Sequence, residues 1–409
     1  MRESEAAKQP IEFEEAREIV IQTLRSLPSK LSAETVALEQ AHGRILAKDA
    51  KADRDYPALR RSLRDGFAVR AADLPGTLRI RGEVRAGDPS QLPLAGGEAL
   101  EIMTGAPVPE GADAVVMIEH VAGGSWSSDN AVTIERTAEQ GQFINGRGTE
   151  AQAGSVLISA GTRIDASHIA SLAMIGSADV EVFRRPKVAI LATGDEIVAL
   201  EETPESHQIR NSNSYMLASL VRCAGGVPTV LSVARDTVEA LRISLEQGLE
   251  YDLLLISGGV SAGKYDLVKP TLRELGVTFH FERVRIQPGQ PTTFGTREGK
   301  AVFGLPGNPG SSLITFQLFA RPAIELLAGE SDSVLPLLAA TFEAPFRHKL
   351  GLTRFLPARL TADGKHLRHI PWQGSSDVPA LAKANAFLVA EHDRESWKIG
   401  DSIRVMLKP

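Results

Sequence analysis

A single cysteine, Cys223, among 409 residues leaves no partner for an internal disulfide and excludes a cysteine-rich zinc site. Beside Leu220 and Val221 it reads as a buried helix residue. Basic charge is not in excess either: 45 Lys and Arg face 51 Asp and Glu, a formal net charge of −6. No general positive field is therefore available to gather nucleic acid. No apolar run approaches the ~18 residues of a membrane span. The stretch Met1 to Pro10 is polar and lacks the apolar core of a signal peptide. These absences predict a cytoplasmic enzyme or binding protein, with neither nucleic acid nor a membrane as partner. The nine histidines are scattered without ligand spacing, and His366 and His369 read as solvated turn residues.

What is present is ordinary in bulk, with 43% hydrophobic and 23% charged residues, and informative in order. The length predicts about two to four domains. Residues 10–46 read as helical, with Ile11, Phe13, Ala16, Ile19, Val20 and Leu24 forming an apolar stripe that Pro28 ends. From 51 to 139 the texture is short alternating strands broken by many Gly and Pro, a β-rich module. Helical texture resumes before Gly176, which predicts a module inserted into a discontinuous helical linker domain, 10–50 plus 140–182.

Residues 183–331 alternate strand and helix, predicting a three-layer α/β sandwich with a parallel-dominated sheet. Its strands read as 188–191, 229–233, 253–256, 277–281 and 301–303, and its helices as 214–223, 237–247, 267–275 and 311–327. Residues 335–409 return to short strands, a small carboxy-terminal β domain. The fold class is thus multidomain α/β plus β.

Two apolar strands run straight into loops of small residues and carboxylates: Lys187 to Ala192 into Thr193-Gly194-Asp195-Glu196, and Leu253 to Ile256 into Ser257-Gly258-Gly259-Val260-Ser261. Glycine at such carboxyl ends lets backbone N–H groups approach a phosphate. Gly258 to Lys264 has most of the spacing of a nucleotide-binding P-loop, but Tyr265 stands where a magnesium-ligating hydroxyl is required. Asp195, Glu196, Asp236, Asp252 and Asp266 all fall near strand ends, and two such carboxylates could hold magnesium. Asp236 also has the spacing of a helix N-cap, and Asp252 that of a turn residue. Gly304 to Ser312 leads a strand into a helix start through Pro306-Gly307-Asn308, where Ser311 either helps bind an anion or caps the helix. Asp65-Gly66 alone is a hairpin signal.

Taken together, these stretches resemble the molybdopterin molybdenumtransferase family, the MoeA type related to the gephyrin E domain. The likeness rests on Asp65 to Val69, Ile102 to Val116, Thr193 to Val198, Ile209 to Leu217, Ser257 to Ser261 and Gly304 to Pro309, in that order along nearly the whole chain. The resemblance implies insertion of molybdate into adenylylated molybdopterin, with release of AMP and a requirement for Mg2+. It implies a four-domain homodimer whose active cleft joins the α/β domain of one subunit to β modules of the other, with a molybdopterin adenylyltransferase as a candidate partner.

Catalytic positions implied by it are Asp65, Thr104, Glu196, Asp236 and Asp266, with Glu196 and Asp236 on the metal. Thr193, Gly194, Asp195, Ser257, Gly258, Gly259, Ser261, Pro306, Gly307, Asn308 and Ser311 would bind the substrate. Arg354, Ser375 and the Ser311-Ser312 pair would lie near the oxyanion.

This chain departs from the family pattern at chemically relevant places. Gln287 and Gln290 stand where the family usually carries lysines, and a neutral amide cannot balance an anion's charge. Arg283 and Arg285 remain nearby. Thr149-Glu150 replaces Glu-Asp, and Lys264 replaces a usual Gly. Two alternatives therefore stand beside the transferase: a pterin-binding scaffold without chemistry, and an adenylyl-transferring enzyme built on the α/β segment.

Overall fold

The computed structural model describes residues 9–27, 31–89, 93–126, 130–260 and 267–409, which divide into two compact units. One unit is 49–159 with 166–178; the other is the remainder of the described chain, carrying 179–409.

The first unit is built on a five-stranded sheet: β1 (Gly66–Val69), β2 (Gly76–Val84), β3 (Glu98–Ile102), β4 (Ala114–Met117) and β5 (Ala131–Ile134), in the order β4-β1-β3-β2-β5. Its pairs are antiparallel except β2 with β3. Period-two alternation sends Phe67, Val69, Ala99 and Val116 to one core and Ala68, Leu100, Ile102 and Val115 to another. Both faces of the central strands are therefore covered, which is why Gly-Phe-Ala-Val reads apolar throughout.

The second unit contains the α/β domain. Its six strands are β6 (Lys187–Ala192), β7 (Val227–Val230), β8 (Leu253–Ser257), β9 (Thr278–Phe281), β10 (Thr293–Arg297) and β11 (Lys300–Leu305). They lie in the order β7-β6-β8-β11-β10-β9, parallel from β7 to β11 and antiparallel beyond. Val188, Ile190, Leu253, Leu255 and Phe303 enter one core, packed by helices α1 (Ser212–Cys223), α4 (Pro309–Thr315) and α5 (Arg321–Leu327). Ala189, Leu191, Leu254, Ile256 and Val302 enter the other, against α2 (Val238–Gly248) and α3 (Val268–Glu274). Helices on both faces of a largely parallel sheet make the three layers.

Several expectations need correction. Strand β10 was not foreseen; it hairpins onto β11 and separates it from β9. The helical reading holds over Phe13–Ser26 but not beyond it, because Ala33–Ala37 is a strand paired antiparallel with Asp179–Phe183. The helix expected over 311–327 is interrupted by a π turn at Phe316–Ala320, just before Pro322. Cys223 is exposed rather than buried: the apolar stripe of α1 runs through Leu217, Leu220, Val221 and Ala224, and Cys223 falls off it.

Past a bridge at Ile286–Gln287, the carboxy-terminal strands are β12 (Leu337–Phe342), β13 (Thr353–Leu360), β14 (His366–His369), β15 (Ala386–Ala390) and β16 (Ser402–Leu407). They run β13-β14-β12-β16-β15, and β15 pairs back with β13, closing a small barrel. His366 and His369 thus sit on a strand, not a turn, and His369 packs 5.3 Å from the Phe346 ring.

One ion pair anchors the sheet at the end opposite the loops. Asp252, weighed above as a magnesium ligand or turn residue, accepts two hydrogen bonds from Arg184 at 2.7 Å each and one from the Lys187 N–H at 2.7 Å. Burial works against its charge, but the Arg184 and Lys187 bonds prevail and hold the carboxyl below its ordinary range. A depressed folded-state value means its stabilisation is full above the unfolded value of about 3.9 and is lost as pH falls through the folded one. Asp252→Asn should therefore cost about 2 kcal/mol at neutral pH, read by urea unfolding, and flatten the acid limb of the stability curve.

Candidate functional site

Strands β6, β8 and β11 end side by side, with Ala192 opposite Ser257 and Ser257 opposite Leu305. Their loops stay tied just past the sheet: Thr193 N donates to Ser257 O at 3.1 Å, and Gly258 N to Leu305 O at 3.1 Å. Such closeness excludes side chains. A Cβ on Gly258 would lie 2.7 Å from the Thr193 carbonyl oxygen, and Gly258 and Gly259 adopt φ of +97° and +63°.

A fourth segment closes the group. Asn211 caps α1, its Oδ1 accepting from Ser214 N at 3.1 Å. Two residues on, Asn213 Nδ2 donates to Ser257 Oγ at 2.9 Å and to Gly307 O at 2.6 Å, pinning the helix start to two of the loops. A carbonyl only accepts, so the Gly307 contact fixes which way the amide points. Asn213 Oδ1 and Thr193 Oγ1 are then left buried without partners among the described residues.

These segments enclose a cleft of about 480 Å³. Of the residues singled out from sequence, Thr193, Gly194, Glu196, Asp236, Ser257, Gly258, Gly259, Pro306, Gly307, Asn308 and Ser311 line it. Asp195 does not line it but stands behind, its Oδ1 accepting from Asp236 N at 3.4 Å. The Glu196 carboxylate folds over Gly194, where a Cβ would lie 2.5 Å from Oε2. The helix-cap reading of Asp236 is overturned, because Thr237 Oγ1 accepts the cap bond from Ala240 N at 3.3 Å. Freed from that duty, Asp236 faces the cleft. Partial burial first, then the Asp195 and Glu196 carboxylates, push its carboxyl above the ordinary Asp range.

Other positions fall elsewhere. Ser312 is fully buried and donates to the Pro306 carbonyl, locking the loop from below rather than facing the cleft. Ser375 Oγ accepts from Asn308 Nδ2 at 2.9 Å, so it contacts the cleft wall without lining it. Arg354 lies opposite Gln287 in parallel register, its Nε buried without a partner among the described residues. Arg285 is occupied by Glu12 at 2.8 Å and by the Gly351 carbonyl. Ser261 and Asp266, with Lys264 and Tyr265, lie outside the described residues.

In the other unit, Asp65 Oδ1 accepts from Thr104 N at 2.6 Å and from Thr104 Oγ1 at 2.8 Å. These bonds hold the carboxyl below its usual range and leave Oδ2 for another donor or a cation. The sequence reading missed Arg210, Asn213 and Pro291 as site residues. The available signal was the polar run Asn211-Ser212-Asn213-Ser214, a cap and first helical turn directly after a short strand.

Among the described residues no group of three or more His, Cys, Asp or Glu is gathered as a metal site. Magnesium does not require one: it takes one or two carboxylates and fills its sphere with phosphate oxygens and water. Glu196 and Asp236 line the same cleft and the charge of Glu196 acts on Asp236, an arrangement that suits that chemistry.

Three family models match the chain in sequence: the MoeA N-terminal region (domain I and II) at 11–176, the "Probable molybdopterin binding domain" at 189–326, and the MoeA C-terminal region (domain IV) at 339–408. The chain belongs to the MoeA family. Molybdopterin molybdenumtransferase of Bacillus subtilis (strain 168) is 35% identical to it over 91% of this chain and 89% of its own length. The enzyme of the same name from Staphylococcus aureus (strain Mu50) is 31% identical over 98% and 96%. Among solved structures, the molybdopterin biosynthesis MoeA protein from Pyrococcus horikoshii OT3 matches with a TM-score of 0.81 and 28% identity, covering 98% of this chain and 100% of that one. The cleft lies within the segment matched by the "Probable molybdopterin binding domain" model.

Proposed function

We propose that this MoeA family member is a molybdopterin molybdenumtransferase: it inserts molybdate into adenylylated molybdopterin and releases AMP. The observation that carries this reading is the meeting of three strand-end loops with Glu196 and Asp236 in one cleft. Backbone amides of Gly259 and Gly307 suit the pyrophosphate of the substrate, with Thr193, Gly194, Ser257, Gly258, Pro306 and Asn308 shaping the walls and Ser261 next in sequence. Glu196 and Asp236 hold Mg2+, which supplies charge neutralisation at the phosphoanhydride when bound. Asp195 orients Asp236 from behind, and Asp266 is the further acidic group from the loop after β8.

Arg354, Ser375 and Ser311 suit the oxyanion, with Gln287 and Gln290 donating hydrogen bonds but no charge. Asp65 and Thr104 complete the cleft from the β-rich module of a second subunit in a homodimer. The four-part organisation, 10–50 with 140–182, 51–139, 183–331 and 335–409, a cytoplasmic setting and delivery by a molybdopterin adenylyltransferase belong to the same reading. Likeness to transferase relatives over nine-tenths of the chain favours it over the scaffold and over a stand-alone adenylyl-transferring enzyme.

The test is AMP release from adenylylated molybdopterin. Release should require both molybdate and Mg2+ and stop on chelation; no release under conditions where the Bacillus subtilis relative works would overturn the proposal.

A further inference from the structure

The carboxy-terminal barrel carries a second concavity, of about 760 Å³, whose wall is cationic on one side and apolar on the other. Arg359 on β13 and Arg368 on β14 stand directly opposite each other across an antiparallel pair. Opposed residues of that kind hold their Cβ atoms about 4.5–5.5 Å apart, and like charges there repel. Both side chains point outward, since their strand neighbours Leu360 and Leu367 fill the barrel interior. Arg359 is held in place, its Nη1 donating to the Lys383 carbonyl at 3.2 Å. Lys383, at the end of helix α6 (Val378–Lys383), adds a third cation to the same wall.

One counter-charge stands in the same wall, Asp377, and it acts on Lys383. Neither arginine nor Lys383 forms an ion pair among the described residues. The one carboxylate in the wall, Asp377, is committed to backbone amides: Oδ1 accepts from Ala380 N at 3.0 Å and Oδ2 from Gln373 N at 3.0 Å. Ile370, Pro371, Pro379 and Ala380 form the apolar side. Two opposed arginines, Arg359 held by the Lys383 carbonyl, and a lysine thus line one concavity together with apolar residues.

We infer that this concavity binds a phosphate group carried on a small organic molecule, separately from the cleft at the strand ends. The phosphate bridges Arg359 and Arg368, where paired guanidiniums match its oxygens, Lys383 adds charge, and the organic part lies on Ile370, Pro371 and Pro379. The site is chemically distinct from the amide-lined cleft, because here the recognition is by side-chain cations on a β-barrel.

Phenyl phosphate, inorganic phosphate and phenol serve as ligands for the full chain, titrated calorimetrically at matched ionic strength in chloride. The wild type should take up one more equivalent of phenyl phosphate than the Arg359→Gln/Arg368→Gln double variant. At this site phenyl phosphate should bind more tightly than inorganic phosphate, and Lys383→Gln should weaken it by about tenfold. Ligand-free double variant should melt no lower than wild type, because a repulsive pair is removed. AMP release should be unchanged. Equal stoichiometry in wild type and double variant, binding of phenol as tight as that of phenyl phosphate, or no binding above chloride would each overturn the inference.

Discussion

Asp236→Asn and Glu196→Gln should each lower AMP release by at least about 100-fold while leaving the fold intact. The two carboxylates line one cleft, and Asp236 is pushed up by partial burial and then by Asp195 and Glu196. A raised carboxyl has a definite sign: in the absence of cation, ionising Asp236 works against the folded state, so Asp236→Asn should keep or slightly raise the thermal midpoint. A large fall in the midpoint would instead make the residue structural. The same sign sets the pH dependence. Cation binding needs the ionised form, so Mg2+ affinity should decline with acidification from above the ordinary Asp range, and Asp195→Asn should move that decline to lower pH. Combining the two variants should cost little more than either, because groups that hold one ion act as a unit.

The largest effect on stability should come from Gly66→Ala, costing on the order of 3 kcal/mol or more. Gly66 sits between β3 and β4, opposite Ile102 and Met117. A Cβ there would lie 2.0 Å from the Val116 carbonyl oxygen and 2.9 Å from Ile118 N, and φ is +154°. The obstructing atoms are backbone, so relief requires breaking the central ladder of that sheet. Gly43→Ala is the control: its φ is +74°, but nothing lies within 4 Å of the added carbon, so only conformational strain of about 1 kcal/mol remains. Urea unfolding of the two variants separates them; equal losses would show that steric conflict at Val116 is not what requires glycine. Asp65, next in sequence, should lose its Thr104 bonds in Gly66→Ala but not in the control.

How far the sequence carries depends on which physical signal was local. Strands β6 and β8 were legible because a run buried on both faces must be apolar at every position, as Val188 to Leu191 and Leu253 to Ile256 are. β10, Thr-Phe-Gly-Thr-Arg, was not: it owes its place to hairpin pairing with β11 rather than to its own hydrophobicity. Ala33–Ala37 looked helical because Ala and Glu favour helices, and pairing with Asp179–Phe183 overrode that preference. Cys223 was misplaced by one position around a helix, which is enough to turn a side chain from core to solvent.

By itself the sequence determined the family, the alternation that makes a three-layer α/β domain, and the strand-end loops that line the cleft, since each is written in local order and spacing. Only the tertiary structure decided which carboxylates share that cleft. It assigned the helix cap to Thr237 and so released Asp236, and it committed Asp252 to Arg184 at the far end of the sheet. It placed Asn213 as the tie between three segments and set Arg359 against Arg368 on neighbouring barrel strands. Those outcomes depend on distances between residues far apart in the chain, which pairing register and packing fix and which no local pattern encodes.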